Sequence, residues 1–144
     1  MNTILKKVGA YERLLECSIK PSVQRIAIME YLMEYRTHPS ADEIYTALSP
    51  VIPTLSKTTV YNTLKLFAEQ GAAQMLTIAE RNANFDGDTS CHAHFFCKQC
   101  GHIYDLDDIS GMDKYVECGE KDGHQVLETH YYYKGICRKC LDKR

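Results

Sequence analysis

No apolar run in this chain exceeds a few residues, so nothing approaches the ~20 residues that a membrane-spanning helix requires. The opening stretch, MNTILKKVGAYERLLEC, carries its lysines after a short apolar segment and lacks the apolar centre of a secretory signal, which sets the expectation of a cytoplasmic protein. Bulk charge of one sign is also missing. The formal net charge is −2, with eight basic against seven acidic residues in 1–70 and nine against twelve in 71–144. Without a broad positive field, any binding to DNA must rest on a few well-placed basic side chains. Cysteine, by contrast, is plentiful: seven in 144 residues. In a reducing compartment that number points to metal binding rather than to disulfides.

Four of the seven form two Cys-x-x-Cys motifs, Cys97/Cys100 and Cys137/Cys140, separated by 36 residues. Two thiolates three positions apart on a tight turn grip a metal from one side, and a second pair completes a tetrahedral sulfur cage. The spacing predicts a structural zinc ion, Zn(II), that clips two distant turns together. A thioredoxin-like redox pair needs only one such motif and a βαβ setting, and neither motif here has that setting. Cys17, Cys91 and Cys118 are left over.

The first half reads as a series of helices. Residues 22–35 contain no breaker, Ser22 is a candidate N-cap, and Ile26, Met29 and Met33 recur at helical spacing. After Pro39, Ser40-x-x-Glu43 is a capping-box pattern ahead of the apolar stripe Ala41, Ile44 and Leu48. Pro50 and Pro53 punctuate the next loop. A third helix, 56–70, runs from a Ser56 cap to Gly71, with Val60, Leu64 and Phe67 on its apolar side. Its other face presents Lys57, Thr58, Tyr61, Asn62 and Lys65. For an isolated amphipathic helix this would be an ordinary solvated face. Following two other short helices, and preceding the alternating stretches AAQMLTI and NANFD, it reads instead as the recognition helix of a winged helix-turn-helix. In that setting Ser56, Lys57, Thr58, Thr59, Tyr61 and Asn62 lie nearest double-stranded DNA.

The second half is richer in strand signals: HAHFFC, HIYDL and VLETHYYYKGIC, with SGMDKYVECGEKDG between them expected as a short helix and turn. The run Tyr131–Tyr133 suits either a dimer interface or ordinary core. The fold class expected is α+β, an N-terminal winged helix over residues 1–86 followed by a small α/β dimerisation domain with a zinc site over 87–144. His92-x-His94 is a second ligand signal, because residues two apart on a strand face the same side. Asp86, Asp105 and His38 are the further oxygen and nitrogen donors in view, although a single histidine is more often a satisfied surface or core residue than a ligand.

Taken in order, HPSADEIYTAL, LSKTTVYNTLKLFAEQG, NFD, CHAHFFCKQCG, HIYDL and GICRKC resemble the ferric uptake regulator family of metal-dependent repressors, over about residues 10–141. The resemblance implies a winged helix, an α/β dimerisation domain, and a homodimer that binds palindromic operator DNA when its regulatory metal is present. Within the family the chain is most similar to the peroxide-sensing branch, whose regulatory site uses three histidines and two aspartates. Carried over, these fall on His38, Asp86, His92, His94 and Asp105. Iron-sensing members tend to have glutamate at the two acidic positions. Their additional metal site is altered here, with Ala93 between the two histidines and Thr129, beside His130, at its downstream position. Cys91, directly before His92, fits neither branch.

Imidazole and carboxylate donors suit Fe(II) or Mn(II), while thiolates retain zinc. Ligands drawn from both halves would set the angle between them, and so the spacing of two recognition helices relative to one DNA turn of ~34 Å. Three readings follow: a peroxide-responsive repressor, an iron- or zinc-uptake repressor of the same family, and a zinc hydrolase using His92, His94 and an aspartate. The hydrolase reading leaves the recognition helix unexplained, so no enzyme is expected, and no small-molecule substrate beyond metal ions and peroxide.

Overall fold

The computed structural model describes residues 9–79, 83–89, 93–106, 119–126 and 130–143. The chain divides into two compact units, Met1–Thr89 and Ser90–Arg144.

The first helix among the described residues, α1 (Ala10–Glu16), is one that the sequence did not announce. Its N-cap, Gly9, makes no side-chain cap bond. It ends in a Schellman arrangement, Ile19 N–H to Leu14 C=O at 2.8 Å, with Ser18 rather than glycine in the left-handed position at φ 61. The usual start and stop residues are therefore missing, and what holds α1 is burial of Ala10 and Leu14. The next helices follow their caps. Ser22 accepts the Arg25 N–H at the start of α2 (Val23–Glu34). At the start of α3 (Ala41–Leu48), Ser40 Oγ accepts from Glu43 N–H at 3.2 Å and Glu43 Oε1 accepts from Ser40 N–H at 2.9 Å. A cap of this kind contributes about 1 kcal/mol. On α2 the buried side is Ile28, Met29 and Leu32, whereas Ile26 and Met33 flank it half-buried, one step round from the expected stripe.

Helix α4 (Lys57–Glu69) starts from Ser56, which accepts the Thr59 N–H, and ends where Gly71 takes φ 78 and Ala72 N–H reaches Phe67 C=O at 2.7 Å. Val60, Leu64 and Phe67 are fully buried. The core they share with Leu14, Ile28, Met29, Leu32, Ile44 and Phe85 is continuous. Strands β1 (Gln74–Leu76) and β2 (Asn84–Asp86) pair antiparallel as the wing, with Gln74 opposite Asp86.

The second unit centres on a three-stranded sheet ordered β4-β3-β7, from β3 (Ala93–Cys97), β4 (Ile103–Leu106) and β7 (Tyr132–Gly135). Strand β4 is antiparallel to β3 and β7 is parallel to it. Residues 119–121, expected as part of a helix and turn, instead form β5 (Gly119–Lys121), paired with β6 (His124–Val126). Asp122 and Gly123, at φ 53 and 84, make the tight turn between them. The upstream part of that expected helix and turn, 110–118, lies outside the described residues. The long stretch VLETHYYYKGIC does not form one strand: Val126 belongs to β6, and β7 begins at Tyr132. A short helix, α5 (Arg138–Asp142), follows Cys137. None of the described helices is long and apolar enough to cross a membrane.

Candidate metal centres and nucleic-acid face

The parallel pairing of β3 with β7 sets Cys97 opposite Gly135, two residues before Cys137. Both Cys-x-x-Cys turns thereby meet at one end of the sheet. Cys97 Sγ lies 3.8 Å from Cys140 Sγ, and Cys100 Sγ lies 3.8 Å from Cys137 Sγ. A disulfide needs a separation of about 2 Å. Four sulfurs each about 2.3 Å from a central zinc are separated by about 3.8 Å along a tetrahedron's edge, so the cluster fits the ion. The backbone is turned toward the sulfurs as well: Cys100 N–H donates to Cys97 Sγ at 3.4 Å and Cys137 N–H at 3.3 Å.

The thiols differ in acidity. Desolvation pushes the Cys97 thiol up, but the backbone N–H groups of Cys100, Cys137 and Gln99 together outweigh it and bring the group down to about 6. A hydrogen bond from the Tyr104 hydroxyl leads in lowering Cys137. Desolvation and the neighbouring sulfurs drive Cys140 up to about 12. Four adjacent thiolates cannot all carry charge without a cation among them, and a divalent ion supplies it.

The nitrogen and oxygen donors form one pair in each unit. In the first, His38 Nε2 faces Asp86 Oδ2 at 3.5 Å, and both side chains are almost wholly buried. Asp86 comes from the end of β2, and His38 from the turn between α2 and α3. The other Asp86 oxygen accepts from Asp88 N–H at 2.9 Å, and Arg36 reaches Asp88 at 3.1 Å. Arg13 of α1 donates to the carbonyls of Ala72 and Gly87, at 3.0 and 2.8 Å, and so ties down both ends of the wing. In the second unit, His94 on β3 stands directly opposite Asp105 on β4, with His94 Nε2 at 3.2 Å from Asp105 Oδ1. A histidine nitrogen beside an aspartate oxygen suits a divalent ion of the Fe(II) or Mn(II) kind, and three of these four donors are buried. His92 and Cys91, also singled out by the sequence, lie outside the described residues.

At the start of α4, Lys57, Thr58, Tyr61, Asn62 and Lys65 are exposed on one face. Ser56 and Thr59 bond to one another, hydroxyl to hydroxyl at 2.9 Å, and so build the helix start. Lys65 Nζ sits 5.7 Å from the Tyr61 ring centre. An open groove of about 370 Å³, lined by Ser40, Asp42, Lys57, Thr58, Tyr61 and Phe85 among others, joins the N-termini of α3 and α4 to the wing. Asp42, in the first turn of α3, lies 3.9 Å from Lys57 across this groove, so the positive charge there sits at the start of α4. Neither Arg13 nor Asn84, which donates to the His38 carbonyl at 2.8 Å, stands out in the sequence as a support of these segments. Both act by donating to distant backbone carbonyls, which leaves no mark in local pattern.

The family model of the ferric uptake regulators matches residues 16–134. The chain belongs to the ferric uptake regulator family. It is 39% identical over 139 residues to the peroxide operon regulator of Bacillus subtilis (strain 168), covering 93% of this chain and 92% of that protein. Among solved structures it is similar to the peroxide-sensing PerR from Streptococcus pyogenes, at 35% identity and a TM-score of 0.51, covering 92% of this chain and 94% of the other. The Vibrio cholerae ferric uptake regulator superposes with a TM-score of 0.69 at 25% identity, covering 88% and 98%. The family is one of transcriptional regulators that bind DNA.

Proposed function

We propose that this member of the family is a metal-dependent transcriptional repressor that senses peroxide through a regulatory Fe(II) or Mn(II) ion and holds a separate structural zinc. The observation that carries the reading is the split donor chemistry: sulfur alone at Cys97, Cys100, Cys137 and Cys140, and nitrogen with aspartate oxygen at His38–Asp86 and His94–Asp105. In this reading His92 joins those two pairs on one ion. The 39% identity to a peroxide operon regulator and the two aspartates favour peroxide over iron level as the signal.

The residues have separate tasks. Thiolates of the cage hold the turns at the end of β3 and before α5 together. His38 and Asp86, from the DNA-binding unit, share the regulatory ion with His94 and Asp105 of the other unit. Their joint ligation fixes the angle between the units, and release of the ion lowers the fraction of protein competent to bind DNA. When bound, Fe(II) supplies the electron that cleaves the O–O bond of hydrogen peroxide, which Mn(II) does not readily do. No catalytic turnover of a substrate is assigned. The protein acts in the cytoplasm, as a homodimer on a palindromic operator, with one α4 helix in each half-site.

The test is DNA retention by the Mn(II)- and Fe(II)-loaded forms before and after a small dose of peroxide. The DNA face has its own test. Tyr61→Ala should weaken operator binding at least tenfold at moderate salt, in line with ~1–3 kcal/mol for a lost base contact, with zinc content and dimerisation unchanged. Unaltered affinity would rule out α4 as the reading helix.

A further inference from the structure

His38 occupies an improbable backbone state. Its φ is 57, in the left-handed region, although it carries a bulky side chain and directly precedes Pro39. The left-handed state costs a non-glycine residue about 1–2 kcal/mol, and a following proline biases the residue toward extended conformations. A buried outlier of this kind persists only where its surroundings hold it.

The holder is visible. Asn84 Nδ2 donates to the His38 carbonyl at 2.8 Å. Two further ties join the same segments, Phe85 N–H to Pro39 C=O at 2.9 Å and a bridge between Ser40 and Asn84, but both are made by backbone. Besides the contact of His38 with Asp86 itself, the Asn84 amide is the tie among those named here that depends on which side chain stands there. Its own oxygen is buried and has no hydrogen-bond partner among the described residues. An unsatisfied buried acceptor costs about 1–3 kcal/mol, so an apolar residue would suit packing better. The donor end is what the site uses. Asn84 and Asp86 are two apart on β2 and therefore face the same side. One strand thus presents a ligand and, beside it, the group that grips its partner ligand.

We propose that Asn84 is a positioning residue of the regulatory metal site, holding His38 in the left-handed turn that aims its imidazole at Asp86 before any ion binds. The proposal rests on the reading of His38 and Asp86 as ligands. Partners of this sort that orient a metal ligand typically change affinity 10–100-fold.

The test compares Mn(II) affinity, by the electron paramagnetic resonance signal of free Mn(II), with the melting temperature of the Mn-free, zinc-containing protein. Asn84→Asp keeps the shape and replaces the donor with an acceptor; Asn84→Ala removes both. Both variants should bind Mn(II) 10–100-fold more weakly with zinc retained. The melting temperature of Asn84→Ala should stay near that of the wild type, whereas that of Asn84→Asp should fall, because its buried carboxylate faces the His38 carbonyl. Were Asn84 merely nearby, the added carboxylate of Asn84→Asp would leave Mn(II) binding unchanged or tighten it, and either result overturns the proposal. So does a fall in melting temperature with Mn(II) affinity unchanged, which marks a packing role. A wild-type protein that binds no Mn(II), or an Asp86→Ala protein that binds it as well as wild type, instead overturns the underlying metal-site reading.

Discussion

Hydrogen peroxide added in small excess to the Fe(II)-loaded protein is expected to abolish DNA binding, and to leave the Mn(II)-loaded protein bound. The difference comes from the ion alone, because the same imidazole and aspartate donors serve both. Held by His38, Asp86, His92, His94 and Asp105, Fe(II) would supply an electron to peroxide beside these side chains, and oxidation is expected on His38 or His92. Digestion and mass spectrometry should then find one added oxygen atom on a peptide containing one of these residues, only in the iron form. Loss of a neutral imidazole from a site so dependent on it weakens the ion's hold. The population shift is large when the active state binds the ion far more tightly than the inactive one, ~10⁴-fold for a near-complete switch. An iron form that survives peroxide unmodified would move the reading to iron level as the signal, and oxidation confined to Cys91 would move it to a thiol.

Cys97→Ser should yield protein that contains little zinc and no longer dimerises. Cys97 is fully buried, it accepts two backbone N–H bonds, and its sulfur lies at tetrahedral-edge distance from that of Cys140. The described core around it is small: Cys97, Cys137 and Cys140, with Phe95, Tyr104 and Ile136 against them. Metal binding at such a cage acts as folding energy, of order 10–16 kcal/mol for structural zinc in small peptides. The first unit has its own continuous core, so much of the helical circular dichroism should survive the substitution. Elemental analysis and light scattering decide the matter. A normal dimer with one zinc per chain would refute the assignment of the cage.

The parts of this fold that were legible in the sequence are those decided within a turn or two of chain. Ser22, Ser40 with Glu43, and Ser56 announce their helices because each cap bonds to a backbone N–H three residues on. Helix α1 was missed because Gly9 and Ser18 stand where stronger signals are usual. The β5–β6 hairpin did carry its signal, Asp122-Gly123, but the reading of a helix running into a turn overrode it. Parallel pairing of β3 with β7 was not legible at all, since nothing local specifies a partner some 40 residues away. At the metal centres, spacing grouped the four cysteines that the structure gathers. That His94 sits opposite Asp105 depends on strand register, and the hold of Asn84 on His38 depends on a tertiary contact across 46 positions. Sequence pattern carries donor types well and their supports poorly.

The place of β7 at one edge of its sheet among the described strands, parallel to β3 and followed by Cys137, has a bearing on the fate of damaged protein. Strands β4, β5 and β6 intervene between the two, and the ladder with β3 and the sulfur cage join β7 to its parallel neighbour. Zinc loss is expected to loosen that junction, and where β7 parts from β3 a row of backbone groups beside Phe95 and Phe96 is bared. Exposed edges of that kind recruit strands from other copies. Emptying the nitrogen–oxygen site is a reset that fresh metal can undo where the ligands are intact, whereas breaking the sulfur cage retires the molecule.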